Sequence, residues 1–229
     1  FIHPAHCGPM AAPDKKWREC TMKVLLINGS PHKNGCTYTA LAEVAAELEK
    51  NGVETEIFHI GAKPVGGCVA CWACKQLGKC AFDDTVNEAL PKLAEADGVV
   101  FGSPVYYACA NGSMLGFMQR LSIAGGQHLQ FKPAAIVASA RRAGTTATLD
   151  ALAKIPAYHN MPLVSGCYWP MVHGANGKAE DAAQDAEGLQ TMRAIGRNMA
   201  WMLKCIAAGK AAGIEQPVAE PKQFTSFIR

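Results

Sequence analysis

The sequence predicts an α/β protein built as a doubly wound, five-stranded parallel sheet of order 2-1-3-4-5 with right-handed crossovers. Three observations predict it. Strand-like and helix-like stretches alternate five times along the chain. Two of the strand stretches, Lys23 to Asn28 and Gly98 to Gly102, are continuous apolar runs of the kind that parallel sheets bury on both faces. The length of 229 residues, with 49% hydrophobic content, suits one such domain with a full core rather than two independent ones.

Residues 1–21 carry Pro, His and Cys without periodicity and end just before Met22, so they are expected to be an extension outside the fold, with no apolar run of a secretory signal. The domain is expected over 22–215, with 216–229 as a tail. The first strand, Lys23 to Asn28, feeds the loop Gly29 to Thr37 and then a helix with Leu41, Val44, Ala45 and Leu48 at helical spacing. Val53 to Ile60 alternates apolar and polar residues and reads as an edge strand. Gly61 to Gly67 is turn-rich, and Asp83-Asp84-Thr85 with Glu88 predicts a capping box for a helix that Pro91 should kink or restart. After the third strand, Asn111 to Ile123 reads as a helix with Met114, Leu115, Met118 and Leu121 on one side. Ala134 to Ser139 is the fourth strand, and a helix from about Thr146 precedes a fifth strand over Pro162 to Cys167. Residues 181–208 read as one closing helix, with Leu189, Met192, Ile195, Met199, Leu203 and Ile206 on its inner face.

The balance of 22 basic and 19 acidic residues, a net charge of +3, is too mild and dispersed for a nucleic-acid or membrane-surface binder. No apolar run approaches the length that spans a bilayer. Neither nucleic acid nor membrane is an expected partner, and the cytoplasm is the expected location.

Three loops fall at the carboxyl ends of strands, where ligands of such sheets bind. In Gly29-Ser30-Pro31-His32-Lys33-Asn34-Gly35-Cys36-Thr37, free backbone N–H groups, hydroxyls and the positive end of a helix dipole converge, which makes a phosphate site. The triphosphatase pattern Gly-x-x-x-x-Gly-Lys-Ser/Thr and the dinucleotide pattern Gly-x-Gly-x-x-Gly are both missing from it. Ser103-Pro104-Val105-Tyr106-Tyr107 sets two aromatics beside that loop; alone they read as core or interface residues, but next to a phosphate site they can pack near a planar ligand ring. Ser139 to Thr145 offers small residues with Arg141 and Arg142, either a solvated turn or a cationic edge for an anionic ligand.

Of ten cysteines, four crowd into Cys68-x-x-Cys71-x-x-Cys74-x5-Cys80, which favours metal or redox chemistry over a disulfide framework. Four thiolates at this spacing suit an iron–sulfur cluster or, less well, zinc, although the spacing after the third cysteine and the missing Pro depart from ferredoxins. Simple packing, or a disulfide after oxidation, is the alternative. Cys36, Cys109, Cys167 and Cys205 stand alone and are expected to be small buried hydrophobes.

Residues 22 to about 215 resemble the flavodoxin-fold NADPH-dependent FMN reductase family, in the subgroup related to iron–sulfur flavoproteins. The resemblance rests on Gly29-Ser30-Pro31, the four-cysteine run with Asp83-Asp84, Gly102 to Tyr107, Ser139 to Thr145, and Tyr168-Trp169-x-Met171-Val172-His173-Gly174. It implies bound FMN, with Ser30, His32, Asn34, Gly35, Cys36 and Thr37 around the phosphate. Ser103, Pro104, Val105, Tyr106, Tyr107, Asn111 and Gly112, then Ser139, Ala140, Arg141, Arg142, Gly144 and Thr145, and finally Trp169, are implied around the flavin. His32 and Cys36 stand where the family usually has Arg and Asn, a departure expected to loosen phosphate binding. A homodimer or homotetramer with flavin near the subunit interface is implied. So is a ping-pong reaction: NAD(P)H gives hydride to FMN and leaves, and a quinone, nitro, azo or similar small acceptor takes the electrons, with no side-chain acid or base required. The alternative is an electron carrier working between a 4Fe–4S cluster on Cys68, Cys71, Cys74 and Cys80, FMN and a ferredoxin-like partner; a third reading is a non-enzymatic zinc-stabilised module.

Overall fold

The computed structural model describes residues 21–175, 177–218, 220–225 and 227. The expected extension therefore lies outside the described residues except for Thr21, and the described part of 216–229 carries no helix or strand.

The strands are β1 (Lys23–Asn28), β2 (Glu54–His59), β3 (Gly98–Tyr106), β4 (Cys109–Ala110), β5 (Ala134–Ala140) and β6 (Met171–His173). The helices are α1 (Cys36–Lys50), α2 (Cys74–Leu77), α3 (Thr85–Glu95), α4 (Gly112–Gly125), α5 (Thr145–Tyr158), α6 (Ala179–Ala182) and α7 (Ala186–Ala211). The sheet runs β2-β1-β3-β5-β6, all parallel, which is the expected order of five parallel strands. One strand is added, because β4 folds back antiparallel on the end of β3. The period of two along each strand divides the core between the faces. Leu25, Ile27, Val99 and Phe101 pack with Met114, Phe117 and Leu121 on one side, and Val24, Leu26, Val100 and Val137 pack with Leu41, Val44, Met192 and Ile195 on the other.

Four expectations are corrected. The fifth strand is not Pro162 to Cys167. That segment touches the sheet only where Leu163 bridges Ala134, and pairing resumes at Met171 opposite Ala138. Four residues of β5 separate these contacts but eight of the edge chain do, so the stretch from Ser165 loops out, with Gly166 packed against Thr191. The closing helix is split into α6 and α7, because Asp185 caps α7 by accepting from Gly188 N at 2.9 Å and also accepts His173 N at 2.7 Å. Pro91 does not restart α3; it is exposed and lies inside the continuous helix, where the carbonyl it leaves unbonded can reach water. The cap of α3 is Asp84, accepting from Val86 N at 3.1 Å, which puts Asn87 rather than Glu88 at the third helical position.

Candidate functional site

The phosphate loop is braced from inside. Asn28, fully buried at the end of β1, accepts the Ser30 N–H at 3.1 Å and donates to the Lys33 carbonyl at 3.1 Å. Ser30 Oγ accepts from His32 N at 3.1 Å, and the Ser30 carbonyl lies 2.8 Å from His59 Nε2 on β2. Helix α1 then begins at N-cap Gly35 with no side-chain cap and no acidic residue in its first turn. Its N–H groups and dipole are thus left for an outside anion. Helix α5, starting at Gly144, is likewise without a side-chain cap, whereas α3, α4 and α7 are capped by Asp84, Asn111 and Asp185. Between the two open helix starts lie Thr37 and Ser139, 1% and 4% exposed, with their hydroxyls 2.7 Å apart. Such a pair spends one hydroxyl hydrogen on itself and keeps the other to donate.

Around this centre the other expected residues divide. Gly35 and Cys36 are buried, while His32, Lys33 and Asn34 are exposed and line an open recess with Lys178. Cys36 does not offer its side chain to the phosphate: its thiol donates to the Lys178 carbonyl at 3.2 Å, and burial, with Asp181 nearby, pushes that thiol up. Ser103 is fully buried, its hydroxyl accepting from Asn111 N at 3.0 Å and donating to the Pro104 carbonyl at 2.9 Å. Ser103 and Asn111 thus close the base of the β3–β4 hairpin and α4, with Gly112 exposed just beyond. The hairpin turn is Tyr107-Ala108, both left-handed at φ 49° and 58°, a conformation that favours Asn-Gly and costs about 1–2 kcal/mol per ordinary residue. It leaves Tyr107 fully exposed at the tip and Tyr106 half exposed, with Pro104 and Val105 partly covered. Gly144, at φ 91°, is where the third loop meets this turn, since a Cβ there would lie 2.6 Å from Ala108 Cα. Ala140 and Thr145 are buried, and Arg141 and Arg142 are exposed. Trp169 stacks edge-on against Tyr168 at 4.6 Å in a recess formed with Met171, His173 and Asp185, and His173 Nε2 lies 3.2 Å from the Arg142 carbonyl of the third loop.

The four cysteines line a second recess together with Val69, Trp72, Phe82, Arg120 and Ile123. All four are free thiols. Ala70 and Trp72 adopt φ 52° and 59°, coiling the loop so that Ala70 N donates to Cys68 Sγ at 3.4 Å. Arg120, 3% exposed, places Nε and Nη2 each 3.2 Å from Cys80 Sγ and grips the Asp84 carboxylate at 2.7 and 2.9 Å. Burial works against the guanidinium's charge, but the hydrogen bonds with Asp84 and Cys80 outweigh it and hold the group above its usual range. Among the described residues, no group of three or more His, Cys, Asp or Glu side chains is placed to hold a metal ion. The recess does not lie at the ligand end of the sheet. From Val65, whose N–H donates to Ser113 Oγ at 3.2 Å, the loop runs down α4 to Cys74, which bonds the Ile123 carbonyl at 3.9 Å. Arg120 sits nine residues past Asn111, about 14 Å along the helix.

A family model described as NADPH-dependent FMN reductase matches residues 22–176. The chain belongs to this family. An iron–sulfur flavoprotein of Methanocaldococcus jannaschii is similar to it, 33% identical over 192 residues that cover 81% of this chain and 99% of that one. Among solved structures, the flavodoxin-like WrbA-like protein of Agrobacterium tumefaciens superposes with TM-score 0.57 at 18% identity, covering 81% of this chain and 98% of that one. The NAD(P)H:quinone oxidoreductase of Methanothermobacter marburgensis superposes with TM-score 0.58 at 14% identity, covering 79% and 96%.

As an FMN reductase family member the chain is an FMN-binding, NAD(P)H-dependent flavoprotein oxidoreductase with a flavodoxin-like fold. Among the described residues, no helix is long and apolar enough to cross a membrane. Sequence reading missed two features near the sites. One is the return of Lys178 to the phosphate loop, where it bridges Gly35, and nothing local signals that. The other is Arg120, whose signal was a charged residue three positions after Phe117 on the buried stripe of an otherwise apolar helix. Of the lone cysteines, Cys36 is buried as expected and Cys109 partly so, but Cys167 and Cys205 are exposed, on the looped-out edge segment and the outer side of α7.

Proposed function

We propose that this protein oxidises NAD(P)H through FMN held between the loops after β1, β3 and β5, and passes the electrons to a small acceptor such as a quinone, nitro or azo compound. The observation that carries this reading is the pair of open helix starts, α1 and α5, with the buried Thr37 and Ser139 hydroxyls between them. FMN, when bound, accepts a hydride and releases the electrons to the acceptor. The chain's own work is to bind and orient. The α1 N–H groups, Ser30 and Thr37 take the phosphate, the hairpin carrying Tyr106 and Tyr107 borders the ring, and Arg141 and Arg142 supply positive charge where a nicotinamide dinucleotide phosphate or a reduced ring carries negative charge. Turnover of NADH or NADPH by purified FMN-loaded protein, with a quinone or azo dye added, tests this; FMN bound without any turnover overturns it.

A second reading adds a 4Fe–4S cluster, favoured by the recess that all four cysteines line together with apolar neighbours and by N–H donors that point at two of the sulfurs. Four thiols in one recess are the donor chemistry that a cubane takes, one thiolate to each of its four irons. Cys68, Cys71, Cys74 and Cys80 would hold it and one-electron transfer is what it supplies, with a ferredoxin-like protein as partner. Iron and acid-labile sulfide assayed after anaerobic reconstitution decide it, and negligible amounts of both reject it. A homodimer or homotetramer also belongs to the proposal, supported by the exposed Tyr107, Tyr168 and Trp169, and light scattering checks it.

A further inference from the structure

Among the described residues, Arg120 is the one charged side chain lining the cysteine recess, and its donors divide between a carboxylate and a sulfur. Nη1 and Nη2 are occupied by the Asp84 carboxylate in a two-point grip, and Nη2 also reaches the Phe82 carbonyl at 3.2 Å. The Phe82 ring lies 5.0 Å from the guanidinium carbon. Asp84 is itself fixed as the cap of α3, so the plane of the guanidinium has little freedom. Of its five N–H groups, Nε–H and one on the shared Nη2 point at one sulfur, Cys80 Sγ, with both distances 3.2 Å. Cys80 is fixed in turn, since its backbone N–H and carbonyl are both held by the Asn87 side chain, at 2.9 and 3.0 Å.

A neutral thiol is a weak acceptor and gives two N–H groups little in return. A sulfur that carries negative charge, as a cluster ligand must, makes the same two bonds strong and charge-assisted. The other sulfurs are treated differently: Cys68 accepts one backbone N–H at 3.4 Å, and Cys74 donates to a carbonyl. We propose that Arg120 is a positioning residue for the iron–sulfur cluster read above, holding Cys80 in ligand geometry and raising the cluster's reduction potential through its two N–H···S bonds. This rests on the cluster reading. One-electron reduction adds one negative charge across the irons and sulfurs, makes or breaks no bond in the protein and takes up no proton, so a fixed donor pair at one sulfur favours the reduced form. Because Asp84 offsets the arginine's charge, the directed N–H groups rather than net charge carry the effect.

The test uses the full chain, reconstituted anaerobically with iron and sulfide and titrated with dithionite and redox mediators while the reduced cluster is followed by electron paramagnetic resonance. Three proteins are compared: wild type, Arg120→Lys, and Asp84→Asn. Lysine keeps a cation but cannot present the two-donor fork, whereas asparagine at position 84 removes the negative charge yet keeps a side-chain oxygen that accepts from the guanidinium, so the fork stays oriented on Cys80. Arg120→Lys is expected to lower the reduced-to-oxidised ratio at a given potential about tenfold, a midpoint about 59 mV lower for a one-electron couple. Asp84→Asn is expected to leave the midpoint unchanged or higher. Loss of iron and sulfide in Arg120→Lys with retention in Asp84→Asn supports the holding role, because only the first removes the bonds to sulfur. An unshifted midpoint in Arg120→Lys, an equal fall in both variants, or loss of the cluster in both overturns the proposal. A loaded wild type with no shift sinks this inference alone, whereas a wild type that takes up neither iron nor sulfide sinks the cluster reading beneath it.

Discussion

Replacing Thr37 by Val tests the FMN placement through a contact whose two roles separate cleanly. In the free protein the Thr37 and Ser139 hydroxyls, both buried, bond each other at 2.7 Å across α1 and β5. Removing one leaves the other unpartnered in the interior, which costs about 1–3 kcal/mol of stability; removing both in a Thr37→Val, Ser139→Ala double variant costs less than the sum, since no polar atom is stranded. On the proposed placement, the pair's spare hydrogen donates to a charged phosphate oxygen of FMN, a bond worth about 1.5–3 kcal/mol. The single variant should therefore bind FMN about ten- to a hundredfold more weakly. Urea unfolding of FMN-stripped protein reads the first quantity, and a flavin-fluorescence titration reads the second. A variant that loses stability but binds FMN with wild-type affinity would show that the pair only ties α1 to β5, and the phosphate placement would be wrong.

Gly144→Ala forces a side chain into the left-handed region at φ 91° and a Cβ to 2.6 Å from Ala108 Cα, so a loss of about 2 kcal/mol or more is expected by chemical denaturation, together with weaker FMN binding because two of the three ligand loops meet there. Gly116→Ala would set a Cβ 2.7 Å from the Val65 carbonyl oxygen; the 61–72 loop must move off α4, which should impair iron uptake by reconstitution while FMN affinity in the titration stays that of wild type. Burial, with Lys222 adding to it, holds His159 below its usual range, with its Nε2 at 2.6 Å from Ser122 Oγ. Below pH 6.5 the unfolded chain therefore binds a proton that the folded one refuses, and stability falls as pH drops from 7 to 5; His159→Gln should flatten that slope in melting temperatures measured across the range.

Much of the fold was legible because its signals are local. The apolar runs of β1, β3 and β5 are buried on both faces as their composition requires, and α1 packs through the very residues that recur at helical spacing. The end of the chain was harder to read, because apolar content does not say which residues reach a sheet edge. Pro162 to Cys167 looks more like a strand than Met171 to His173 does, yet the latter pairs, held by Asp185 through His173 N from twelve residues away. The ligand loops were legible as loops, but the task of each side chain within them was not. Ser103 and Cys36 look like ligand contacts in sequence, and each spends its side chain on a backbone partner, for Cys36 one 142 residues distant.

Helix α4 connects what sequence treated as separate matters. Its first turn belongs to the ligand end: Asn111 caps it, Ser103 bonds the cap, and Ser113 holds the start of the cysteine loop at Val65. Its third turn belongs to the cysteine recess through Arg120 and Ile123. A helix whose Met114, Phe117, Met118 and Leu121 are all buried is a stiff spacer, so the distance between the ligand end and the cysteine recess follows from its rise rather than from the loop between them. The loop is long enough to have gone elsewhere. Gly116, with no Cβ, is what lets residues 65 and 66 lie directly on the helix, and Gly67 extends that approach beside Gln119. The four cysteines are therefore placed by two glycine-permitted contacts and one arginine clamp, and their spacing in sequence determines only how they are arranged among themselves.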